Sequence, residues 1–522
     1  MPTVRRVAIL CLNPWEAELE PRPYSYGAWR ILASLRADPR LAEVDIRCWE
    51  GQGWTVERWV EELASFQPDL IAASLYIWSI PVLAPAISRY KCIDPSVFVV
   101  AGGSSARPVM FAHPPFDALA PAFDALAPGD GEGVMRELCR DPSRAGEIPG
   151  LLVRDGDSWR STGARPTRLD EVISPLQMDL APDDRSALLQ TFLGCPMGCS
   201  FCAWGEERES PALSVEWLSA ELSAIRAKNI PSIFSVDAGM NLNRAALRNL
   251  LAADAATDGL AGRRLTCQVY PSWYGPDLEA VLERVEPDTT IGLQSADTQF
   301  LKELGRPSSR ASFERVLDRV RARGKVTAEL ILGLPGDTPE GFARTLRYAL
   351  DLGVRIRVYY CLVLPDALMS RGGWAERLTW DPISLELRSG PGWSPEILEA
   401  WCAQLDDVAE ERGGYATSQW PYPAPRGAPP PGELGSMPGA RLWVLPGERR
   451  VPNVAGATDA LVAALLRHTE GAWRLVELRP EQARYRITLE GPGGQRVLHS
   501  DGNSGESTVD AAIREAASAL DL

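Results

Sequence analysis

CPMGCSFCAW, residues 195–204, spaces three cysteines as C-x3-C-x2-C directly after the strand-like run ALLQTFLG. A four-iron four-sulfur cluster usually takes four cysteine ligands, so three ligands leave one iron with an open position. A zinc knuckle is the main alternative, but zinc usually binds four protein ligands, and no histidine or fourth cysteine lies nearby. We therefore predict Cys195, Cys199 and Cys202 as ligands of such a cluster.

The sequence that follows the cysteines alternates strand-like and helical stretches as far as residue 370. Its strand-like segments are SIFSVDAG, RLTCQVYPS, TTIGLQSA, TAELILGLPG and RIRVYYCLVLP. Their order is that of a β/α barrel, but there are too few units for eight. We predict a partial (β/α)6 TIM-like barrel as the core of the protein, at residues 188–395.

The sequence before the cysteines has a similar rhythm. RVAILCLN, VDIRCWE, DLIAASLY and SVFVVAGG are strand-like, with helical patterns between them, which predicts a doubly wound, Rossmann-like α/β domain at residues 1–140. Near its end, FDALAPAFDALAPG is a tandem duplication of seven residues. Residues 141–187 have the proline and glycine of a connector, in which LLVRDG is suited to a short hairpin.

The C-terminal part divides at a stretch rich in proline and glycine, PYPAPRGAPPPGELGSMPG. Such a composition favours an extended linker, so we assign residues 396–436 to a helix and linker. Residues 437–522 are predicted to form a small α+β domain, with ARLWVLPG, AWRLVELRP, ARYRITLEG and QRVLHSDG as strands and helices at residues 458–468 and 509–521.

Composition limits the partners and the compartment. The net charge is -15 and there is no run of basic residues, which disfavours nucleic acid as a substrate. The N-terminus has only a short apolar stretch, and no later segment is long and apolar enough to span a membrane. Ten cysteines without a secretory signal are typical of a reducing compartment, so we predict a cytoplasmic protein.

At CPMGCSFCAW the chain resembles the radical S-adenosylmethionine (SAM) superfamily, and the resemblance continues to residue 370. It implies that Phe201, Ala203 and Trp204 lie near the adenine. IGLQSADTQFLKELGR is similar to the segment in which Ser295 approaches the ribose and Arg306 faces the SAM carboxylate. AELILGLPGDTPEGF resembles the glycine-proline turn after the fifth strand, which implies that three further residues close on SAM: Gly333, Leu334 and Pro335.

One segment departs from the common pattern of the superfamily. Many members have a Gly-Gly-Glu-Pro run whose backbone receives the amino group of SAM, whereas this chain has FSVDAGMNLN. Asp237 and Gly239 stand at that place. This resembles the acidic variant common in members that have an N-terminal cobalamin-binding domain.

The first domain looks like the cobalamin-binding domain of that subfamily. DLIAASLYIWS, VFVVAGGSSARP and PGDGEGVMREL follow one another as the ends of its third, fourth and fifth strands do. Ser74 and Leu75 are then expected to meet the corrin or its nucleotide tail, and Gly102 and Gly103 to let the backbone approach it. The Asp-x-His-x-x-Gly motif of some cobalamin proteins is absent, so cobalamin is bound without a protein histidine or the domain is a scaffold without it.

The resemblance implies a cobalamin-dependent C-methyltransferase. In such enzymes the cluster cleaves SAM to a 5'-deoxyadenosyl radical, which removes hydrogen from a carbon that then accepts the methyl of methylcobalamin. The implied cofactors are the four-iron four-sulfur cluster, SAM and cobalamin, and the implied partners are a small-molecule or peptide substrate and an external electron donor.

Three other functions remain open. Cobalamin-dependent radical enzymes of this fold also close or rearrange rings. A methylthiotransferase is weakly indicated by Cys11 and Cys48, but it needs a second cluster with three cysteines, and Cys92 lies in a helical stretch. A non-catalytic cobalamin or cluster sensor would be expected to have a recognisable output module, which the C-terminal sequence does not show.

Overall fold

A computed structural model describes nine stretches of the chain: residues 3–12, 23–51, 53–182, 184–205, 209–418, 441–447, 474–481, 484–491 and 494–500. Its contacts divide the chain into two compact units. One comprises residues 1–346 with 356–445, and the other comprises residues 347–355 with 446–522. None of the described helices has the length and apolar character needed to cross a bilayer.

The first unit begins with a seven-stranded sheet. Its strands are β1 (Arg6–Cys11), β2 (Asp45–Glu50), β3 (Leu70–Ser74), β4 (Phe98–Gly102), β5 (Ala125–Ala127), β6 (Leu152–Asp155) and β7 (Ser158–Ser161). Its helices are α1 (Tyr26–Ala37), α2 (Val56–Phe66), α3 (Ile80–Ile93) and α4 (Glu132–Arg140). The strand order is β2-β1-β3-β4-β5-β6-β7.

This sheet is buried on both faces. The strands β1 to β5 are parallel, and β6 and β7 add an antiparallel hairpin at the β5 edge. Ala8 and Leu10 of β1 pack in the core with α2 and α3, whereas Val7 and Ile9 pack in the core with α1 and α4. The near-continuous apolar runs seen in the sequence follow from this two-sided burial. The doubly wound domain is confirmed, and its sheet continues through the hairpin into the predicted connector.

The two copies of the duplicated heptapeptide have different structures. In the first copy, residues 116–122, Asp117–Ala122 is a 3-10 helix, whereas in the second copy, residues 123–129, Ala125–Ala127 is strand β5. Phe116 and Phe123 are both buried in the same core. Asp124 of the second copy accepts hydrogen bonds from the Lys91 ammonium at 2.7 Å and the Val99 backbone at 2.7 Å. The parts of the chain that surround each copy, rather than the sequence of the repeat itself, therefore decide which copy becomes the strand.

The second sheet of this unit carries the cysteine motif. Its strands are β8 (Ala187–Leu189), β9 (Ser232–Ser235), β10 (Arg264–Val269), β11 (Glu286–Gln294), β12 (Lys325–Leu332), β13 (Arg355–Tyr360), β16 (Tyr415–Ser418) and β17 (Arg441–Leu445), with a separate pair β14 (Thr379–Trp380) and β15 (Leu387–Ser389). The helices are α5 (Val215–Ala227), α6 (Arg244–Thr257), α7 (Pro276–Leu282), α8 (Thr298–Glu303), α9 (Arg310–Arg321), α10 (Pro339–Asp351) and α11 (Pro395–Glu411).

The strands β8 to β13 lie side by side in chain order. The pairs from β8 to β12 are parallel, and at least one helix follows each strand up to β12, as predicted for a (β/α)6 barrel. The strand β17 pairs antiparallel with β13 and with β16. We had placed the β17 segment in the C-terminal domain that begins at residue 437. Backbone pairing with β13 makes it part of the barrel sheet instead.

The second unit contains an antiparallel three-stranded sheet of β18 (Arg474–Glu481), β19 (Arg484–Gly491) and β20 (Gly494–Ser500). These strands coincide with three of the four predicted for the C-terminal domain. The linker at residues 421–439 and the helices predicted at residues 458–468 and 509–521 lie outside the described residues.

A buried carboxyl group lies on the first barrel helix, α5. Glu221 is 1% exposed, and burial raises its pKa from 4.5 to about 7. Gln177 Nε2 donates to its Oε2 at 3.0 Å, whereas Oε1 has no hydrogen-bond partner among the described residues. The folded protein therefore binds a proton at Glu221 more tightly than the unfolded chain does.

We expect Glu221→Gln to remove a pH dependence of stability. Because the folded-state pKa is raised from 4.5 to about 7, wild-type protein loses stability as pH rises between these values, and glutamine does not titrate. The stability of the variant relative to wild type should rise by about 2 kcal/mol from pH 5.5 to 8, measured by urea unfolding. Glu216→Gln, an exposed position on the same helix, should show no such rise. A pH-independent difference for Glu221→Gln would contradict the assignment.

Candidate active site

The three motif cysteines line one cavity of about 100 Å³. They lie in the loop after β8, where Cys195 and Cys199 are buried and Cys202 is half-buried. The other lining residues come from this loop, from the segment after β9, from the carboxyl ends of β10 and β11 and from the segment after α8: Met197, Phe201, Trp204, Ala238, Gly239, Leu242, Gln268, Val269, Tyr270, Gly292, Gln294 and Arg306. The carboxyl ends of barrel strands are the usual place of active sites in this architecture.

The cysteines suit a cluster better than a single ion. Among the described residues, no three metal-binding side chains converge closely enough to hold one ion. An iron-sulfur cluster needs no such convergence, because each thiolate binds a different iron. Burial raises the pKa of Cys195, and it raises that of Cys202 to about 11, so metal binding has to displace the thiol protons. Three thiols and no other thiol in the lining fit a four-iron cluster with one open iron.

Asp237 holds the chain that leads into the cysteine loop. Its carboxylate accepts from the Thr191 backbone at 2.8 Å, the Thr191 hydroxyl at 2.7 Å, the Phe192 backbone at 3.4 Å and the Ser235 hydroxyl at 3.3 Å. It is 5% exposed, and burial raises its pKa to about 6. The side chain of Asp237 does not line the cavity, whereas Gly239 does.

Arg306 brings a positive charge to the cavity. Its Nη2 donates to the Gly292 carbonyl at 2.8 Å, and its guanidinium lies 4.9 Å from the ring centroid of Tyr270. The residue before it, Gly305, has φ +72°, and a Cβ there would lie 2.6 Å from the Gly198 carbonyl of the cysteine loop. Glycine therefore lets this segment pack directly on the loop, which places the guanidinium where it can bind a carboxylate.

Ser295 is not in the cavity lining, although its neighbour is. Ser295 is 1% exposed, and its hydroxyl accepts from the Asp297 backbone at 3.2 Å and lies 3.3 Å from the Thr345 hydroxyl. Gln294 lines the cavity with φ +62°, and its Oε1 has no hydrogen-bond partner among the described residues. An unpaired buried amide oxygen is a candidate ligand group, and the sequence reasoning missed it.

The predicted glycine-proline turn also lies outside the lining. A Cβ on Gly333 would meet the side chains of Leu398, Cys361 and Leu387, and the Leu334 carbonyl accepts from Trp393 Nε1 at 3.0 Å. The turn, with Pro335, packs against residues that follow the barrel. Of the predicted adenine residues, Phe201 and Trp204 line the cavity, whereas Ala203 belongs to the 3-10 turn beside it.

Polar side chains extend from the cavity into the barrel. Gln268, which lines the cavity, donates from Nε2 to Glu329 Oε2 at 2.8 Å. The Tyr359 hydroxyl donates to Glu329 Oε1 at 3.0 Å, and Arg357 lies 3.4 Å from the same oxygen. Polar residues pointing inward from β10, β12 and β13 break the apolar strand pattern, which is the signal that could have found them.

The four residues predicted to bind cobalamin lie together at the ends of β3 and β4. Ser74 is paired in register with Gly102, and the Leu75 backbone donates to the Gly102 carbonyl at 2.7 Å. Gly103 has φ +91°, and a Cβ there would lie 2.4 Å from the Leu75 carbonyl. Only glycine therefore allows these two loops to approach so closely.

The loop after β3 also has a stacked aromatic pair. The rings of Tyr76 and Trp78 lie 4.6 Å apart with an interplanar angle of 3°. Trp78 Nε1 donates to the Leu12 carbonyl, just after β1, at 3.1 Å. The loops after β1 and β3 are thus joined, at the point of a doubly wound sheet where ligands usually bind.

Residues 189–349 match the family model of the radical SAM superfamily. The cobalamin-dependent radical SAM methyltransferase TokK of Streptomyces tokunonensis is 28% identical over 349 residues, which cover 59% of this chain and 49% of that protein. The tRNA-2-methylthio-N(6)-dimethylallyladenosine synthase of Cutibacterium acnes is 32% identical over 221 residues, which cover 39% of this chain and 43% of that protein. The chain thus spans about half the length of the curated relatives it matches.

Solved structures show the same fold. The radical SAM methyltransferase TsrM of Kitasatospora setae, solved with cobalamin and a [4Fe-4S] cluster, has a TM-score of 0.53 and 17% identity. The match covers 79% of this chain and 80% of that chain. The family match begins at the end of β8 and includes the cysteine loop and most of the barrel. Residues 189–349 therefore form the part of this chain that is similar to the radical SAM superfamily.

Proposed function

We propose that this protein is a cobalamin-dependent radical SAM C-methyltransferase. The observation that carries the proposal is that a doubly wound sheet of order β2-β1-β3-β4-β5 and a barrel with three thiols in one cavity occur in one chain. The relative TokK, which is named as an enzyme of this kind, is similar to this chain over 349 residues. Activity is assigned from the site, because fold alone does not fix function.

The chain's own residues bind, orient and shield. When bound, the cofactors supply the chemistry: the cluster reduces SAM to give the 5'-deoxyadenosyl radical, and cobalamin carries the methyl group. Cys195, Cys199 and Cys202 would hold the cluster and would leave one iron open. Arg306 would pair with the SAM carboxylate, and the backbone at Gly239 would receive the amino group. Phe201 and Trp204, which line the cavity, would pack against the adenine.

The ends of β3 and β4 are proposed to bind cobalamin. Ser74, Leu75, Gly102 and Gly103 form a close backbone junction there, and the Tyr76 and Trp78 stack offers a flat aromatic surface beside it. Residues 74–79 and 102–107 contain no histidine, and His113 lies farther along the segment between β4 and β5. We infer that cobalamin binds without a protein histidine as lower ligand.

The substrate is proposed to be a small molecule or peptide, with an external electron donor. The net charge of -15 opposes binding to a nucleic-acid backbone, although one relative is named as a tRNA-modifying synthase. That relative also favours methylthiotransfer as a second candidate. Cys11 and Cys48 lie within hydrogen-bonding distance of each other, but Cys92 is exposed on α3, which packs on the opposite face of the sheet from Cys11. The three cysteines therefore do not come together for a second cluster.

The test is to reconstitute the protein without oxygen with iron, sulfide and hydroxocobalamin. We expect about one cobalamin and about four irons per chain, and formation of 5'-deoxyadenosine from SAM with reductant. About eight irons without cobalamin would favour the methylthiotransferase instead. Four irons and SAM cleavage without cobalamin would keep the radical enzyme and overturn the methyl transfer. Product mass then separates methylation from ring closure.

Gly103→Ala should weaken cobalamin binding. The new Cβ would lie 2.4 Å from the Leu75 carbonyl, on a residue whose backbone has φ +91°. The resulting strain of about 1–3 kcal/mol is relieved only if the loop moves. We expect cobalamin affinity to fall about tenfold to a hundredfold, measured by absorbance titration. Gly156→Ala is the matched control, because Gly156 has φ +60° but nothing within 4 Å of a Cβ. Equal affinities for both variants would place cobalamin elsewhere.

A further inference from the structure

A buried ion pair joins the first sheet to the barrel. Arg107, after β4, donates from Nε to Asp366 Oδ1 at 2.9 Å, and its Nη2 lies 2.7 Å from Oδ2. The two side chains are 11% and 12% exposed, and 259 residues separate them in sequence. A bidentate pair fixes both distance and orientation of its partners. Such a contact is suited to positioning one loop against another.

On the first-sheet side, Arg107 holds the loops proposed to bind cobalamin. Its Nη1 donates to the Gly103 carbonyl at 3.1 Å, and its Nη2 donates to the Pro128 carbonyl, after β5, at 2.9 Å. One guanidinium therefore ties the end of β4, the end of β5 and Asp366 together. Its planar fork of five donors suits this task, which a lysine ammonium could not match.

On the barrel side, Asp366 begins a compact turn that ends at the cysteine loop. The Ala367 backbone donates to the Leu364 carbonyl at 3.2 Å, and the Arg371 backbone donates to the Ala367 carbonyl at 2.8 Å. Arg371 Nη1 then donates to the carbonyls of Cys199 at 3.3 Å and Cys202 at 3.1 Å. The backbone of two predicted cluster ligands is thus held by a residue five positions from Asp366.

We propose that residues 366–371, named the brace, fix the cobalamin loops at a set distance from the cluster loop. Asp366 and Arg371 are positioning residues for methyl transfer, and neither touches a reacting atom. This inference rests on the proposed function, because it needs both cofactors. Reacting groups must be held to within a fraction of an ångström, and a displacement of about 1 Å costs roughly a hundredfold in rate.

A merely structural ion pair would behave differently from a brace. Buried pairs often add little net stability, and their clearest role is to select one arrangement among several. Asp366→Asn keeps the shape and removes the charge, so it loosens the arrangement while leaving both cofactor sites intact. The measurement therefore has to report the distance between cofactors, not activity or melting alone.

The experiment is pulsed electron paramagnetic resonance on protein holding cob(II)alamin and the reduced cluster. Wild type is expected to give one narrow cobalt-to-cluster distance distribution, and Asp366→Asn a distribution at least about twice as wide. Glu171→Gln is the matched control: Glu171 pairs with Arg165 at 3.0 Å with side chains 13% and 15% exposed, away from both loops. It should keep the wild-type distribution.

Arg371→Met is a second variant, which keeps most of the apolar stem but removes the Nη1 donor that reaches both carbonyls. This variant should broaden the cobalt-to-cluster distance distribution as Asp366→Asn does. If Asp366→Asn fails to fold, the distribution of this variant tests the brace instead. Wild-type distributions in the variants that fold would overturn the brace. Wild type that binds a cluster but no cobalamin would overturn the proposed function instead, so the two failures are distinguishable.

Discussion

Cys199→Ala is expected to abolish cluster assembly and SAM cleavage. Cys199 is 3% exposed in a cavity whose lining holds only Cys195 and Cys202 as further thiols, so no spare ligand can replace it. Loss of one of three ligands leaves two irons without a protein thiolate. Bound iron should fall from about four per chain to below about one, and 5'-deoxyadenosine formation should fall on the order of a thousandfold or more.

The matched control for this variant is Cys139→Ala. Cys139 is fully buried in α4, so the control creates a similar small cavity away from the barrel. It should retain wild-type iron content and SAM cleavage. Four irons and undiminished cleavage in Cys199→Ala would show that the motif does not hold the cluster.

Asp237→Ala is expected to cause the largest loss of stability of any single change described above. Its carboxylate is the acceptor for two backbone N–H groups and two hydroxyls in the core behind the cysteine loop. Each buried donor left without an acceptor costs about 1–3 kcal/mol. The free energy of unfolding should therefore fall by about 3–5 kcal/mol, measured by urea unfolding at pH 7.5, where the carboxyl group is ionised.

The cysteine loop, which Asp237 holds through Thr191 and Phe192, should become less ordered in Asp237→Ala. Thr191 and Phe192 lead directly to Cys195, so the variant is also expected to assemble less iron even when folded. Asp170→Ala is the control, because the side chain of Asp170 is 67% exposed and pairs only with Arg168. It should change stability by less than about 0.5 kcal/mol. Equal stabilities of Asp237→Ala and wild type would contradict this reading of the network.

Local sequence pattern was sufficient to predict strands of the first sheet and to identify the three cysteines that share one cavity. Apolar runs identified β1, β3 and β4, because a sheet covered on both faces requires them. The three cysteines meet in one cavity because all of them lie within eight consecutive positions of one loop. Both features depend on residues close together in sequence, which is the range over which periodicity and spacing carry information.

Features that depend on distant contacts could not be predicted in this way. Ser295 was named instead of Gln294, since the backbone turn at φ +62° decides which of two neighbours faces the cavity. The strand β17 follows a proline-rich stretch, and nothing in its own residues indicates pairing with β13. Arg107 and Asp366 meet across 259 residues. Such pairs are fixed by the packing of whole elements rather than by local preference.

The duplicated heptapeptide also has a consequence for how the chain folds. Residues 116–122 and 123–129 differ only at their last position, yet one copy is a 3-10 helix and the other is β5. We expect both copies to compete during folding for the same edge of β4, because a chain that inserts the first copy is misregistered by one whole repeat. Asp124 contacts Lys91 and Val99 in the native arrangement, but Asp117 stands at the equivalent position of the first copy, so sequence outside the repeats has to select the native copy. Kinetic partitioning between two near-degenerate threadings is therefore an expected property of this edge of the sheet.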